Sequence, residues 1–184
     1  MPESTVATDE PEDAVLLGRW RGGDERAATI LVLRHTPPLA RFVASLGERY
    51  EVEEVVQDTF VRAFASLDGF RGDSSLRSWL FTIARNLVRD RIRGRAKRCR
   101  IVPIEESHAV TENDALDVAV SDETGARLGR SLDALSPMQR EVFTLRVSEG
   151  LSYKEIAAVV GSTEGAARVH YHNAMRAIKE FIDG

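Results

Sequence analysis

Ten of the thirty residues from 71 to 100 are basic: Arg71, Arg77, Arg85, Arg89, Arg91, Arg93, Arg95, Lys97, Arg98 and Arg100, against only Asp73 and Asp90. Nine of the ten are arginine, whose planar guanidinium presents a fork of donors that fits phosphate oxygens. A net charge of +8 concentrated this way attracts a polyanion locally, whatever the charge of the whole chain. A second chemically suggestive set lies near the C-terminus. At about 100° per helical residue, Gly165, Val169, His172, Asn173 and Arg176 share one face, with Arg168 on its flank. Arginine suits guanine edges or phosphate, asparagine suits adenine and valine suits a thymine methyl, so this face has the make-up of a duplex reader. The opposite face, Ala167, Tyr171, Ala174, Ile178 and Phe181, is the expected buried one.

Other chemistries find no support. There is no Ser/His/Asp set, paired-carboxylate pattern or phosphate-binding glycine loop, so no catalytic residue is expected. His170 and His172 are two apart and would point about 200° from each other on a helix, which disfavours a shared metal. Cys99 sits among arginines that would lower its thiol pKa, and it reads as incidental. One cysteine precludes an intramolecular disulfide framework, and no Cys/His spacing matches a structural zinc site. Neither metal nor cofactor is expected, and a reducing cytoplasm is the expected compartment. No apolar run approaches the ~20 residues of a membrane span, so no membrane insertion is expected. The acidic, polar N-terminus does not read as a secretory signal, so none is expected.

The elements that must position these residues read as helices throughout. Residues 1–12 are too polar to pack and predict a disordered tail. Apolar periodicity begins near Asp13, and Asp24 is a plausible cap for a second helix, which Pro37-Pro38 should interrupt. Residues 51–67 form an amphipathic stripe through Val55, Val56, Phe60, Ala63 and Phe64. A loop over 70–75 leads, with Ser74 or Ser75 as cap, into the strongest periodicity of the chain: Leu76, Trp79, Leu80, Ile83, Ala84, Leu87, Val88 and Ile92. Trp79 lies on that stripe, so core packing is its expected task. Residues 101–125 lose periodicity and hold seven acids with no Lys or Arg, the signature of a linker. Beyond it, Ser136-Pro137 and Ser152 start two helices, and Gly161 can supply the positive φ of a helix-turn-helix turn ahead of the final helix. The fold class is all-α: two small helical domains joined by a flexible acidic linker.

The overall charge of −4 conceals this arrangement. Residues 1–14 carry −5, 15–70 carry −1, 71–100 carry +8, 101–125 carry −7 and 126–184 carry +1. A whole-chain count would argue against a nucleic-acid partner; the distribution argues for one.

Two long motifs carry a family resemblance. Val55-Val56-Gln57-Asp58-Thr59-Phe60-Val61-Arg62-Ala63, followed by the run from Phe70-Arg71-Gly72-Asp73-Ser74-Ser75-Leu76-Arg77 to Ala84-Arg85-Asn86, resembles region 2 of extracytoplasmic-function (ECF, group 4) sigma factors of bacterial RNA polymerase. Leu135-Ser136-Pro137-Met138-Gln139-Arg140-Glu141-Val142-Phe143, then Glu149-Gly150-Leu151-Ser152-Tyr153-Lys154-Glu155-Ile156-Ala157, resembles region 4. The resemblance implies region 2 over 13–98, a linker over 99–125 and region 4 over 126–184. It implies a factor that binds polymerase core, opens the −10 element through region 2 and reads the −35 element through region 4. Gln57, Asp58 and Arg62 would belong to the helix that docks on the clamp helices of the largest subunit, and region 4 would pack on the flap of the second-largest. Arg71, Ser74, Ser75, Leu76, Arg77 and Asn86 match the part that captures an unstacked −10 base. Arg85, Arg89, Arg91 and Arg93 would grip phosphates. Arg168, Val169, His172, Asn173 and Arg176 would face the −35 duplex. His170, His172 and Asn173 stand where relatives often carry Arg or an aromatic residue, so this recognition helix is less basic than usual.

The resemblance further implies an anti-sigma factor as partner, and a linker that threads toward the polymerase cleft, where its acids can mimic nucleic acid. The chain ends just after the last helix, so no appended sensor domain is expected. A free-standing helix-turn-helix regulator is the competing reading. It has no use for the 55–64 motif paired with residues 71–86.

Overall fold

The structure, a computed structural model, describes residues 11–47, 51–101 and 130–183. The expected tail up to residue 10 and nearly all of the expected linker lie outside the described residues. Among the described residues every regular element is helical: α1 (Asp13–Arg21), α2 (Glu25–Ser45), α3 (Val52–Ala65), a 3-10 turn (Leu67–Gly69), α4 (Leu76–Ile101), α5 (Pro137–Phe143), a π-helical turn (Thr144–Ser148), α6 (Tyr153–Val160) and α7 (Glu164–Asp183). A helical turn over residues 130–133 precedes α5.

The helix starts follow local chemistry. The Asp24 carboxylate accepts from the Arg26 N–H at 3.1 Å, and Ser75 Oγ accepts from the Ser78 N–H at 3.2 Å. Ser136 with Gln139 and Ser152 with Glu155 each form a reciprocal capping box. The proline pair behaves differently from expectation: α2 continues through it. Each proline lacks the N–H that would bond four residues back, which ordinarily ends a helix. Here the buried positions Ala27, Leu31, His35, Leu39 and Phe42 keep helical spacing across the pair, and their burial outweighs the two missing bonds.

Two compact units divide at this point, Met1–Pro37 and Pro38–Gly184. In the first, Leu16 and Leu17 of α1 and Ala27 and Leu31 of α2 form the buried set. The Asp13 carboxylate accepts from Arg34 Nη1 and meets His35 Nε2, both at 2.8 Å. Burial alone would raise the Asp13 pKa, but the His35 and Arg34 contacts outweigh it and hold the carboxyl below its ordinary value.

In the second unit, α3 and α4 pack through Val55, Val56, Phe60 and Ala63 against the Leu80, Ala84, Leu87 and Val88 stripe. Phe81 is fully buried edge-on to Phe42, centroids 5.0 Å apart, a geometry that adds about 0.5–1.5 kcal/mol to the area it buries. Trp79 is half-buried against Phe70. α7 packs on both α5 and α6 through Ala167, Ala174 and Ile178, and α6 packs on α4. Phe181, expected on the buried face, is exposed because α7 runs on past its last buried position, Ile178.

Candidate nucleic-acid interface

The loop after the 3-10 turn delivers Arg71 to the surface, with Gly72 at φ +79° beside it. Ser74 is half-buried and Ser75 caps α4. Leu76, placed by resemblance with the base-capturing residues, is only 7% exposed and belongs to the core. Asn86, Arg89 and Arg93 lie on the exposed side of α4, where Arg93 pairs with Asp90 at 2.8 Å.

Three residues of this set face carboxylates from α5, α6 and the segment between them. Glu149, whose side chain is wholly buried, accepts from Arg41 Nε and Nη2 at 3.1 and 3.2 Å and from Arg77 Nη2. Arg77 also lies over the Phe81 ring. Arg85, 4% exposed, donates its Nε–H to Glu141 Oε2 at 2.6 Å. Glu155 Oε1 lies 3.1 and 3.2 Å from the hydroxyls of Ser75 and Ser78, while its Oε2 accepts from the Ser152 N–H and hydroxyl. Burial would raise the Glu155 pKa, but the Ser152, Ser75 and Ser78 bonds outweigh it and hold the group below the usual range.

Arg91 does not face outward with Arg89 and Arg93. Its guanidinium donates to Glu51, Glu54 and Asp58 at 2.6, 2.9 and 2.8 Å, clamping α4 to α3. Burial weakens its hold on the proton, and the Asp58, Glu51 and Glu54 bonds more than restore it. Asp58 is therefore tied to the basic helix, while Gln57, Val61 and Arg62 are exposed on α3.

In the C-terminal part, α6 ends at Gly161, whose φ of +66° is open to glycine at no steric cost. The Ala166 N–H donates to Thr163 Oγ1, which starts α7. Val169 is 57% exposed; Arg168, His172 and Arg176 are exposed and Asn173 is half-buried, so the face expected from helical spacing is formed. Arg168 pairs with Glu164 at 2.7 Å and lies over the Tyr153 ring.

Sequence reasoning missed Glu141, Glu149 and Glu155 as partners of the basic set. Glu149 lies 108 residues from Arg41 and 72 from Arg77, beyond the reach of local periodicity. The available signal was an acidic residue directly ahead of Gly150 and Leu151, where the chain turns back into the core.

Residues 31–98 match the family Sigma-70 region 2, and residues 125–178 match Sigma-70, region 4. The ECF RNA polymerase sigma-E factor of Escherichia coli (strain K12) is 32% identical over 180 residues, covering 93% of this chain and 94% of its own. The RNA polymerase sigma-H factor of Pseudomonas aeruginosa is 32% identical, covering 94% and 95%. Among solved structures, the sigma factor RpoE in complex with the anti-sigma factor NepR from Bartonella quintana is 30% identical, with a TM-score of 0.66 over 87% of this chain and 97% of that one. CnrH in complex with the cytosolic domain of CnrY is 31% identical, with a TM-score of 0.65 over 93% and 97%.

Proposed function

The chain belongs to the extracytoplasmic-function family of RNA polymerase sigma factors, and on that premise we propose how its residues divide promoter recognition among them. As a sigma factor it binds polymerase core and directs promoter-specific initiation, with an anti-sigma protein as the expected antagonist. The exposed residues of α3, Gln57, Val61 and Arg62, dock on core, with Asp58 held in register by Arg91. Arg71, Ser74, Ser75, Arg77 and Asn86 take the −10 strand, and Arg85, Arg89 and Arg93 hold its backbone. The exposed face of α7, Arg168, Val169, His172, Asn173 and Arg176, reads the −35 duplex. The observation that carries this assignment is the α7 face itself: a left-handed glycine turn followed by a helix whose polar and basic side chains stand clear of the core.

Glu155 and Glu149 compete with DNA for Ser75 and Arg77, and Arg85, 4% exposed, is out of reach while Glu141 covers it. On this reading the described arrangement is the resting form, and full use of the −10 surface requires α5 and α6 to leave α4. Extruding a base costs a few kcal/mol, and the guanidiniums released by the carboxylates help to offset it.

In-vitro transcription with purified core polymerase and a promoter library tests the assignment. Initiation from a discrete promoter set is expected. Specific duplex binding without polymerase, and no initiation with it, would replace it with a free-standing regulator. As for compartment, no helix among the described residues is long and apolar enough to cross a membrane.

A further inference from the structure

We propose that Tyr153 is a positioning residue for duplex recognition: its ring is the shared platform on which the guanidiniums of Arg146 and Arg168 are held ready for the DNA backbone. The Arg146 guanidinium carbon lies 4.8 Å from the Tyr153 ring centroid and that of Arg168 lies 5.1 Å from it, both within cation–π range. The two arginines come from different elements, Arg146 from the π-helical turn and Arg168 from α7, while Tyr153 opens α6. One ring therefore ties together three elements of the DNA-reading half, the π-helical turn, α6 and α7.

The ring itself is fixed. Tyr171 meets it edge-on at 5.9 Å, and Phe143 stacks on Tyr171 at 6.5 Å. Each guanidinium has a second anchor: Arg146 Nη1 donates to the Leu151 carbonyl at 2.7 Å, and Arg168 Nη2 donates to Glu164 at 2.7 Å. A long, exposed arginine ordinarily loses much rotamer freedom when it binds a phosphate. One already stacked and hydrogen-bonded has lost much of it beforehand, so binding costs less. Two guanidiniums within range of one ring, one of them paired with Glu164, also leave a local positive excess that an anion relieves. The π-helical turn, a feature often retained at working sites, is what carries Arg146 to the ring.

This inference rests on the assignment of Arg168 to the −35 duplex, and the experiment separates the two. Holoenzyme assembled with core polymerase is titrated against a fluorescent duplex taken from a promoter it transcribes, using the wild type, Arg168→Ala, Tyr153→Phe, Tyr153→Leu and the Tyr153→Leu/Arg168→Ala pair. Arg168→Ala is expected to weaken binding about tenfold. Tyr153→Phe keeps the ring and should stay within about twofold, and Tyr153→Leu should weaken binding about three- to fivefold. The double variant should fall well short of the product of the two single effects. The Arg168 Nε–H proton resonance, shifted by the ring, should move in Tyr153→Leu and not in Tyr153→Phe. Loss with Arg168→Ala but none with Tyr153→Leu, or full multiplicativity in the double variant, overturns the positioning role. No loss with Arg168→Ala overturns the assignment beneath it. A loss as large in Tyr153→Phe as in Tyr153→Leu would show that the hydroxyl, not the ring, does the work, and would also overturn it.

Discussion

Replacing Glu149 with glutamine tests whether the carboxylates of the C-terminal half keep the −10 surface closed. The Glu149 side chain is wholly buried and takes three N–H donors from two guanidiniums. Glutamine keeps the shape and one acceptor oxygen but puts an NH2 group in place of the other, so that either the Arg41 Nε–H or the Nη2 donors of both arginines lose their acceptor. Hydrogen bonds to charged groups are each worth about 1.5–3 kcal/mol. Arg41 and Arg77 are 51% and 36% exposed, so water compensates part of the loss, and a net of about 2 kcal/mol is the reasonable figure. That corresponds to a shift of about thirtyfold toward the open form, and the affinity of the free protein for single-stranded DNA should rise by up to the same factor if the closed form predominates. The assay is fluorescence anisotropy with a random single-stranded oligonucleotide pool. Glu180→Gln on the exposed face of α7 serves as the control for removing one negative charge, and circular dichroism confirms that helix content is kept. Equal affinities for Glu149→Gln and Glu180→Gln would refute the closed-form argument.

Asn86→Ala should impair promoter opening in a permanganate footprint more than it impairs binding to core; equal losses in both would remove Asn86 from the −10 set. Gly161→Ala places a Cβ where nothing lies within 4 Å, so its cost is the left-handed backbone alone, about 1–2 kcal/mol in chemical denaturation, and a larger loss would mean the site is more crowded than described. Asp13→Asn should destabilise by about 1 kcal/mol near neutrality through the lost Arg34 and His35 contacts. Because the folded Asp13 pKa lies below its ordinary value of 3.8, the wild-type advantage is full above that value and is lost as the pH falls through the folded pKa. A gap between wild type and Asp13→Asn that stays constant with pH would contradict the pairing.

What the sequence made legible divides along the distance over which each interaction acts. The caps at Ser75, Ser136 and Ser152, the turn at Gly161 and the exposed face of α7 depend on neighbours within a few residues, and periodicity with cap chemistry suffices to place them. The passage of α2 through Pro37-Pro38 escaped the same reasoning because a local preference was overridden by the burial of Leu31, Leu39 and Phe42.

The basic block is the more instructive case. Counted along the chain it is a single phosphate-binding segment; folded, it separates according to which carboxylates reach it. Arg91 is committed to Glu51, Glu54 and Asp58 and acts as a strut between α3 and α4. Arg85 and Arg77 are committed to Glu141 and Glu149. Arg71, Arg89, Arg93, Arg95 and Lys97 are presented to solvent. The two groups differ in consequence. The Arg91 contacts lie within the α3–α4 pair and need not change when DNA binds, so they serve structure. The Arg77 and Arg85 contacts join α4 to elements on the far side of the linker, and those elements must read a different part of the promoter. On the proposed assignment, charges that pair across such a joint are held in reserve, available to phosphate when the two halves separate to engage the −10 and −35 elements together.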